Sequence, residues 1–237
     1  NNSENNSGSA FIFFGGITGT KSADTDADVI LNGQDANDYF GESVASAGDF
    51  NGDGKDDVIV GAYGDDNNSA SDSGSAFIFF GGITGTKRAD TDADVIINGQ
   101  NAYDSCGGLA NRRNGVSSAG DFNGDGKDDV IVGCNYSNTI ASNSGSAFIF
   151  FGGVTGTKST ESDADVILNG DVANLRFGLQ VSSAGDFNGD GKDDVSIGSW
   201  QLNNGFAWIF FGGITGTKTR SDADVEFTTT AGELLQA

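Results

Sequence analysis

Internal repetition constrains this chain more than any other feature. "SAFIFFGGITGTK" at residues 9–21 recurs at 75–87, as "SAFIFFGGVTGTK" at 146–158 and as "FAWIFFGGITGTK" at 206–218. "DADVI" follows at 26–30, 92–96 and 163–167, with "DADVE" at 222–226. A third phrase, "GDFNGDGKDDV", occupies 48–58, 120–130 and 185–195, and its first aspartates are 72 and 65 residues apart. A period of that size suits one four-stranded sheet per repeat, each copy stacking on its neighbours.

Each full repeat offers four short apolar segments. In the first they are 43–49, 57–62, 75–80 and 93–98, termed A, B, C and D below. Side chains alternate across a strand, so in segment C Phe77 and Phe79 face one way and Ile78 and Phe80 the other. Both faces are apolar and both must be covered. No segment sustains a helical period, and Gly, Asn, Ser, Thr and Asp fill the gaps without a single Pro. With no helices available, like sheets must cover one another, as radially stacked blades do. A β-sandwich is the rival, but it would leave one face of each sheet polar.

The expected fold is therefore an all-β propeller in a single domain. It comprises a half blade (1–33) and three blades (34–99, 100–169 and 170–237), three and a half in all. A closed ring usually needs at least four blades. The tail "TTTAGELLQA" holds nothing like an A–B pair that could complete the half blade by strand exchange. The expectation is a partial ring, or one completed between chains, because open edges invite pairing with further copies. With no initiator Met and no leader-like segment, the sequence is also expected to be part of a longer gene product.

A formal charge of −22 without any His repels nucleic-acid backbones and anionic membrane surfaces. No apolar run approaches the length of a spanning helix. Catalytic triads that use His are excluded within the chain. A glycosidase-type carboxylate pair stays open, because carboxylate separation is invisible in sequence.

That charge makes the third phrase informative. In "DFNGDGKDD" oxygen-bearing side chains fall at loop positions one, three, five and nine. They are Asp49, Asn51, Asp53 and Asp57, then Asp121, Asn123, Asp125 and Asp129, then Asp186, Asn188, Asp190 and Asp194. Position seven (Lys55, Lys127 and Lys192) would offer its backbone carbonyl while its side chain points to solvent. Alternate positions of a tight loop converge, and Gly54 at position six permits the sharp turn. Oxygen donors without His or Cys suit Ca²⁺. Two carboxylates about 4 Å apart repel by roughly 4 kcal/mol at an effective dielectric near 20, so a dication would turn repulsion into a clasp. Three Ca²⁺ per chain are expected. Position twelve is Val60 inside a strand, which rules out an EF-hand. Asp56, Asp128 and Asp193 at position eight are expected to be solvated bystanders.

At these residues the chain resembles the FG-GAP repeats of integrin α-subunit propellers. Those repeats carry a Phe-Gly, a D-x-[DN]-x-D-G-x-x-D calcium loop between the first two strands, and a Gly-Ala-Pro. Phe40-Gly41 and Phe177-Gly178 match the first element and the three loops match the second. "GAY" at 61–63, "GCN" at 133–135 and "GSW" at 198–200 match the third in part. Cys106-Gly107 departs from the pattern and is followed by the insertion 109–115. The resemblance implies a calcium-stabilised, extracellular or cell-surface propeller for adhesion or ligand recognition, with a protein or glycan partner. Cys106 and Cys134 occupy the Phe-Gly and Gly-Ala-Pro positions of one blade; they form either a disulfide or two separate core residues.

Lesser signals remain. The acidic runs at 24–28, 90–94 and 162–165 read either as a second, weaker cation site or as soluble turn residues whose last Asp opens strand D, and the turn reading is preferred. Asn67 and Asn135 head Asn-x-Ser sequons. Trp200, Trp208 and Arg112–Arg113 break the repeat symmetry; Trp208, replacing a strand-C Phe, is expected in the core and the others at a ligand surface. Three functions follow: a non-enzymatic recognition propeller, a structural subunit of a fibre, sheath or surface layer joined through open blade edges, or the propeller of a glycan-processing enzyme.

Overall fold

The protein is described here by a computed structural model covering residues 5–67, 70–109, 114–201 and 204–228. Segments A to D form strands in each repeat, packed in four sheets. The half blade contributes β1 (Ser9–Ile12) and β2 (Val29–Asn32). The first full blade is β3 (Ser43–Gly48), β4 (Asp57–Ala62), β5 (Ser75–Phe79) and β7 (Val95–Asn98), antiparallel throughout. The second is β8 (Val116–Gly120), β9 (Asp129–Cys134), β10 (Ser146–Phe150) and β12 (Val166–Asn169). The third is β13 (Gln180–Gly185), β14 (Asp194–Gln201), β15 (Asn204–Phe210) and β17 (Val225–Thr228). Among the described residues helix is confined to single turns over the acidic C–D runs: α1 (Ala23–Asp26), α2 (Ala89–Asp92), α3 (Thr160–Asp163) and one 3₁₀ turn. No helix among the described residues is long and apolar enough to cross a membrane.

The two-faced strand C behaves as its residues require. Phe77 and Phe79 pack with Val29, Leu31 and Phe40 towards the half blade. Ile78 packs with Val130, Val132, Phe148 and Phe150 towards the second blade. The next layer joins Ile149 and Leu168 to Phe177, Val195 and Trp208. The core is thus three layers between sheets, as in stacked blades.

One element was not anticipated. The Gly-Thr-Lys letters after β5, β10 and β15 form a further strand that crosses to the preceding blade. β6 (Gly85–Arg88) pairs in parallel with β2, β11 (Gly156–Ser159) with β7, and β16 (Gly216–Thr219) with β12. Each blade is therefore stitched to the one before it by backbone hydrogen bonds as well as by apolar packing. Among the described residues, nothing pairs with the outer edge of β17, and residues 19–22, the first copy of these letters, form no strand. At the half blade, Ala10, Ile12, Val44, Val58 and Val60 line an apolar groove of about 370 Å³.

Glycine explains why the Phe-Gly and Gly-Ala elements recur. A Cβ added to Gly61 would stand 1.7 Å from Gly107 O, and one on Gly133 2.0 Å from Gly178 O. Successive blades touch there backbone to backbone, which only a residue without Cβ allows.

Candidate metal and recognition sites

The three loops join A to B in each full blade. Position one curls each loop by accepting backbone N–H groups on both carboxylate oxygens. Asp49 Oδ1 takes Asp53 N at 2.8 Å and Oδ2 takes Gly54 N at 2.9 Å. Position three joins it, because Asn51 Oδ1 accepts the same Asp53 N–H at 2.7 Å. The pattern repeats around Asp125 N, from Asp121 and Asn123, and around Asp190 N, from Asp186 and Asn188. Positions one and three are thus brought together. In the first loop position five turns to Lys55, whose Nζ stands 3.2 Å from Asp53 Oδ2 and holds that carboxyl below the usual range; in the other two, Asn123 and Asn188 donate Nδ2 to Asp125 and Asp190 Oδ2 at 3.0 and 2.9 Å.

Position nine lies beneath the loop. Asp57, Asp129 and Asp194 are 1%, 0% and 0% exposed. One oxygen of each accepts the N–H of position three, and the other accepts Gly81, Gly152 or Gly212 N from the turn after strand C. Burial raises Asp57 and pushes Asp129 up to about 7, against the backbone hydrogen bonds that lower them. Backbone donors therefore offset part of the carboxylate repulsion. The donor set is oxygen only, the kind a hard dication takes, but among the described residues no A–B loop brings one oxygen from each of three carboxylates within 4.8 Å of one another.

Two expectations about these loops need correction. Position eight is a latch between blades rather than a bystander. Asp128 Oδ2 accepts Asp49 N of the preceding loop at 2.7 Å, and Asp193 Oδ2 accepts Asp121 N at 2.9 Å. Asp56, in the first of the three loops, is exposed. Position seven is not uniformly solvated either. Lys127 and Lys192 are half-buried and reach back over the preceding loop, where a Cβ on Gly52 would lie 3.2 Å from Lys127 Cε. Phe50 and Phe122 at position two are fully buried between blades, whereas Phe187, in the third loop, is 57% exposed.

Cys106 and Cys134 form a disulfide with a Cα–Cα distance of 4.0 Å. The last aspartate of each acidic run closes its turn, Asp28, Asp94, Asp165 and Asp224 accepting the N–H of Phe14, Phe80, Phe151 and Phe211. Trp208 is buried against Phe177 at 5.2 Å, as expected, and Trp200 is 41% exposed. Arg112 and Arg113 lie outside the described residues. Asn67 is exposed, but Asn135 is buried, so the second sequon is closed to modification in the folded chain.

Strands alternate in direction, so the B–C and D–A connections share the end away from the A–B loops. There the structure gathers something the repeats gave no hint of. All four tyrosines of the chain, Tyr39, Tyr63, Tyr103 and Tyr136, line one groove of about 470 Å³. Tyr39 and Tyr63 stack with ring centroids 4.8 Å apart, and the Arg176 guanidinium sits 4.9 Å from the Tyr136 centroid. Tyr63 is pushed up to about 12, chiefly by burial. Near this groove burial also pushes Asp65 up to about 7 and Asp38 up to about 6. The available signal was that no tyrosine falls within the repeated phrases; each sits in a connection.

Residues 40–79, 114–150 and 177–210 each match the FG-GAP repeat family. The chain is built from FG-GAP repeats. Integrin alpha-PS2 of Drosophila melanogaster is 31% identical over 74% of this FG-GAP chain and 12% of its own length. Integrin alpha-PS3 of the same organism is 30% identical over 72% of the chain and 14% of its own length. A phosphatidylinositol-glycan-specific phospholipase D of Bos taurus is 29% identical over 68% of the chain and 18% of its own length. The FG-GAP chain thus spans less than a fifth of each of these curated relatives.

Proposed function

We propose that this chain is a non-enzymatic, extracellular or cell-surface propeller segment that recognises a protein or glycan ligand. Ca²⁺ would be held at each A–B loop by positions one, three, five and nine and by the position-seven carbonyl. Bound there, it would neutralise the carboxylates and keep the blade-to-blade latches in register. The observation that carries recognition is the collection of every tyrosine into one groove, at the end where loops differ from blade to blade. Aromatic rings with neighbouring amides and hydroxyls offer large contact area at low entropic cost, as antibody loops do. Tyr103, 63% exposed, is the ring most available for stacking.

Two measurements test this reading. Calcium titration by calorimetry is expected to give affinities of about 10⁻⁴–10⁻³ M, as extracellular modules do; nanomolar binding would remove the argument for an extracellular site. Asp53→Ala is expected to lower the Tm in calcium and leave it unchanged in chelator, and equal loss in both would refute ligation. Binding to a panel of immobilised matrix proteins and glycans, abolished by Tyr103→Ala, would identify the partner class.

The open edge of β17 and exposed Phe187 favour a second reading, a structural subunit that assembles through blade edges. Sedimentation in calcium separates the two. A concentration-dependent polymer, lost in Phe187→Asp, supports assembly, and a stable monomer supports recognition. The phospholipase relative motivates a third reading, a propeller attached to an enzyme, which activity against a polysaccharide or glycolipid panel in the parent protein would support.

A further inference from the structure

A second set of oxygens converges where the connection leaving the half blade meets the connection after β4. One carboxylate oxygen each from Asp38, Asp65 and Asp66 lies within 4.8 Å of the other two. Among the described residues this is the only group of three acidic side chains so gathered, the A–B loops included. Asp66 is exposed, whereas Asp38 is 4% and Asp65 1% exposed. Asp38 is fixed in place by Asp35 N, which donates to its Oδ2 at 2.9 Å. Gln34 Nε2 reaches Asp65 Oδ1 at 3.5 Å.

The independent observation is an imbalance of donors. Asp65 Oδ2 and Gln34 Oε1 are both buried, and neither has a hydrogen-bond partner. The Ser75 hydroxyl beside Asp65 gives its proton to Asn98 Oδ1 at 2.9 Å. The charges acting on Asp38 and Asp65 come from other carboxylates, Asp35 and Asp66. Buried acceptors without a donor are costly, and like charges at this range worsen the balance. A hard cation relieves both, and an all-oxygen donor set of three carboxylates and an amide suits calcium.

The cluster is not generic turn chemistry. At the second junction Ser137 takes the place of Asp65, accepting Gly145 N where Asp65 accepts Gly74 N through their carbonyls; Asp104 takes Asn101 Nδ2 on Oδ2 and has a buried Oδ1 without a partner, but no second buried carboxylate stands at the Asp65 position. At the third, Leu175 stands at the Asp38 position. Only the first junction carries paired buried carboxylates.

We propose that Asp38, Asp65 and Asp66, with Gln34 Oε1, hold a Ca²⁺ ion distinct from those of the A–B loops. The ion ties the half blade's outgoing connection to the first full blade. It thereby fixes Tyr39 and Tyr63, adjacent to its ligands, as the stacked wall of the tyrosine groove. The site does not depend on whether that groove binds a ligand.

Terbium replaces calcium in oxygen sites and emits when a nearby tyrosine is excited, and the A–B loops carry no tyrosine. In the intact chain, tyrosine-excited terbium emission is expected, and Asp65→Asn is expected to weaken it by about tenfold or more in affinity. Asp65→Asn is also expected to lower the Tm in calcium and to raise it in chelator at pH 8, where it removes an uncompensated buried charge. Unchanged emission, or an equal rise of Tm in both conditions, would overturn the proposal in favour of a carboxylate pair kept neutral by protons. Should Asp65→Asn not fold, exposed Asp66→Asn provides the same emission test, and undiminished terbium affinity there would overturn the site equally.

Discussion

At the scale of single residues, the informative comparison is among chemically identical aspartates in identical sequence contexts. Asp56, Asp128 and Asp193 occupy the same letter of the same phrase. Asp128 and Asp193 accept a backbone N–H from the preceding loop, whereas Asp56 meets solvent. A hydrogen bond to a charged acceptor contributes about 1.5–3 kcal/mol. Asp128→Ala is therefore expected to destabilise the chain by about 2 kcal/mol in urea unfolding, while Asp56→Ala leaves the midpoint where it was. Equal effects would mean the latch contributes nothing. The same contact explains a glycine. A Cβ on Gly48 would sit 2.2 Å from Asp128 Oδ2 and one on Gly120 2.0 Å from Asp193 Oδ2, yet nothing lies within 4 Å at Gly185.

At the scale of elements, each blade borrows from its neighbour. The Gly-Thr-Lys strand completes the outer edge of the blade before it, and the Phe-Gly turn presses its glycine against the Gly-Ala step of that same blade. In the second blade the Phe of this turn is replaced by Cys106, bonded to Cys134 across a separation of 28 residues. A covalent link thus stands where Phe40 and Phe177 use packing. Closing a loop of that length restricts the unfolded chain by about 3.5 kcal/mol. The double variant Cys106→Ser, Cys134→Ser should lose about 2–4 kcal/mol by denaturant unfolding. It should lose no calcium from the A–B loops, because both cysteines lie away from them.

At the scale of the molecule, charge and burial set the response to pH. Asp38, Asp65, Asp104 and Asp129 all have folded-state values raised to between about 6 and about 7, with burial the leading cause each time. A raised folded value means that the folded chain binds protons more tightly than the unfolded one. That contribution to stability is complete below the unfolded carboxylate range near pH 4 and is lost as pH rises through 6 to 7. In chelator the Tm is therefore expected to fall between pH 5 and pH 8. Calcium, which would bind the charged forms of Asp38, Asp65 and Asp129 but not Asp104, should reduce that fall. A calorimetric scan at each pH with and without calcium checks the sign, and a Tm that rises with pH in chelator would contradict it.

Much of this was legible in the letters. The repeats fixed the strands, because C strands apolar on both faces have nothing to pack on but one another. The loop spacing placed positions one and three side by side, because both accept the N–H of position five, as Asp49 and Asn51 do from Asp53. Contacts between repeats were not legible, since they join residues far apart whose identity does not vary from copy to copy. Asp128 and Asp56 are the same letter, and only the contact of Asp128 with the preceding loop gives them different work. The tyrosines and the Asp38–Asp65 pair lie in connections, where no repeat constrains position. Their meeting was decided by how successive blades align their loops, which is a property of the packed stack and of no single segment.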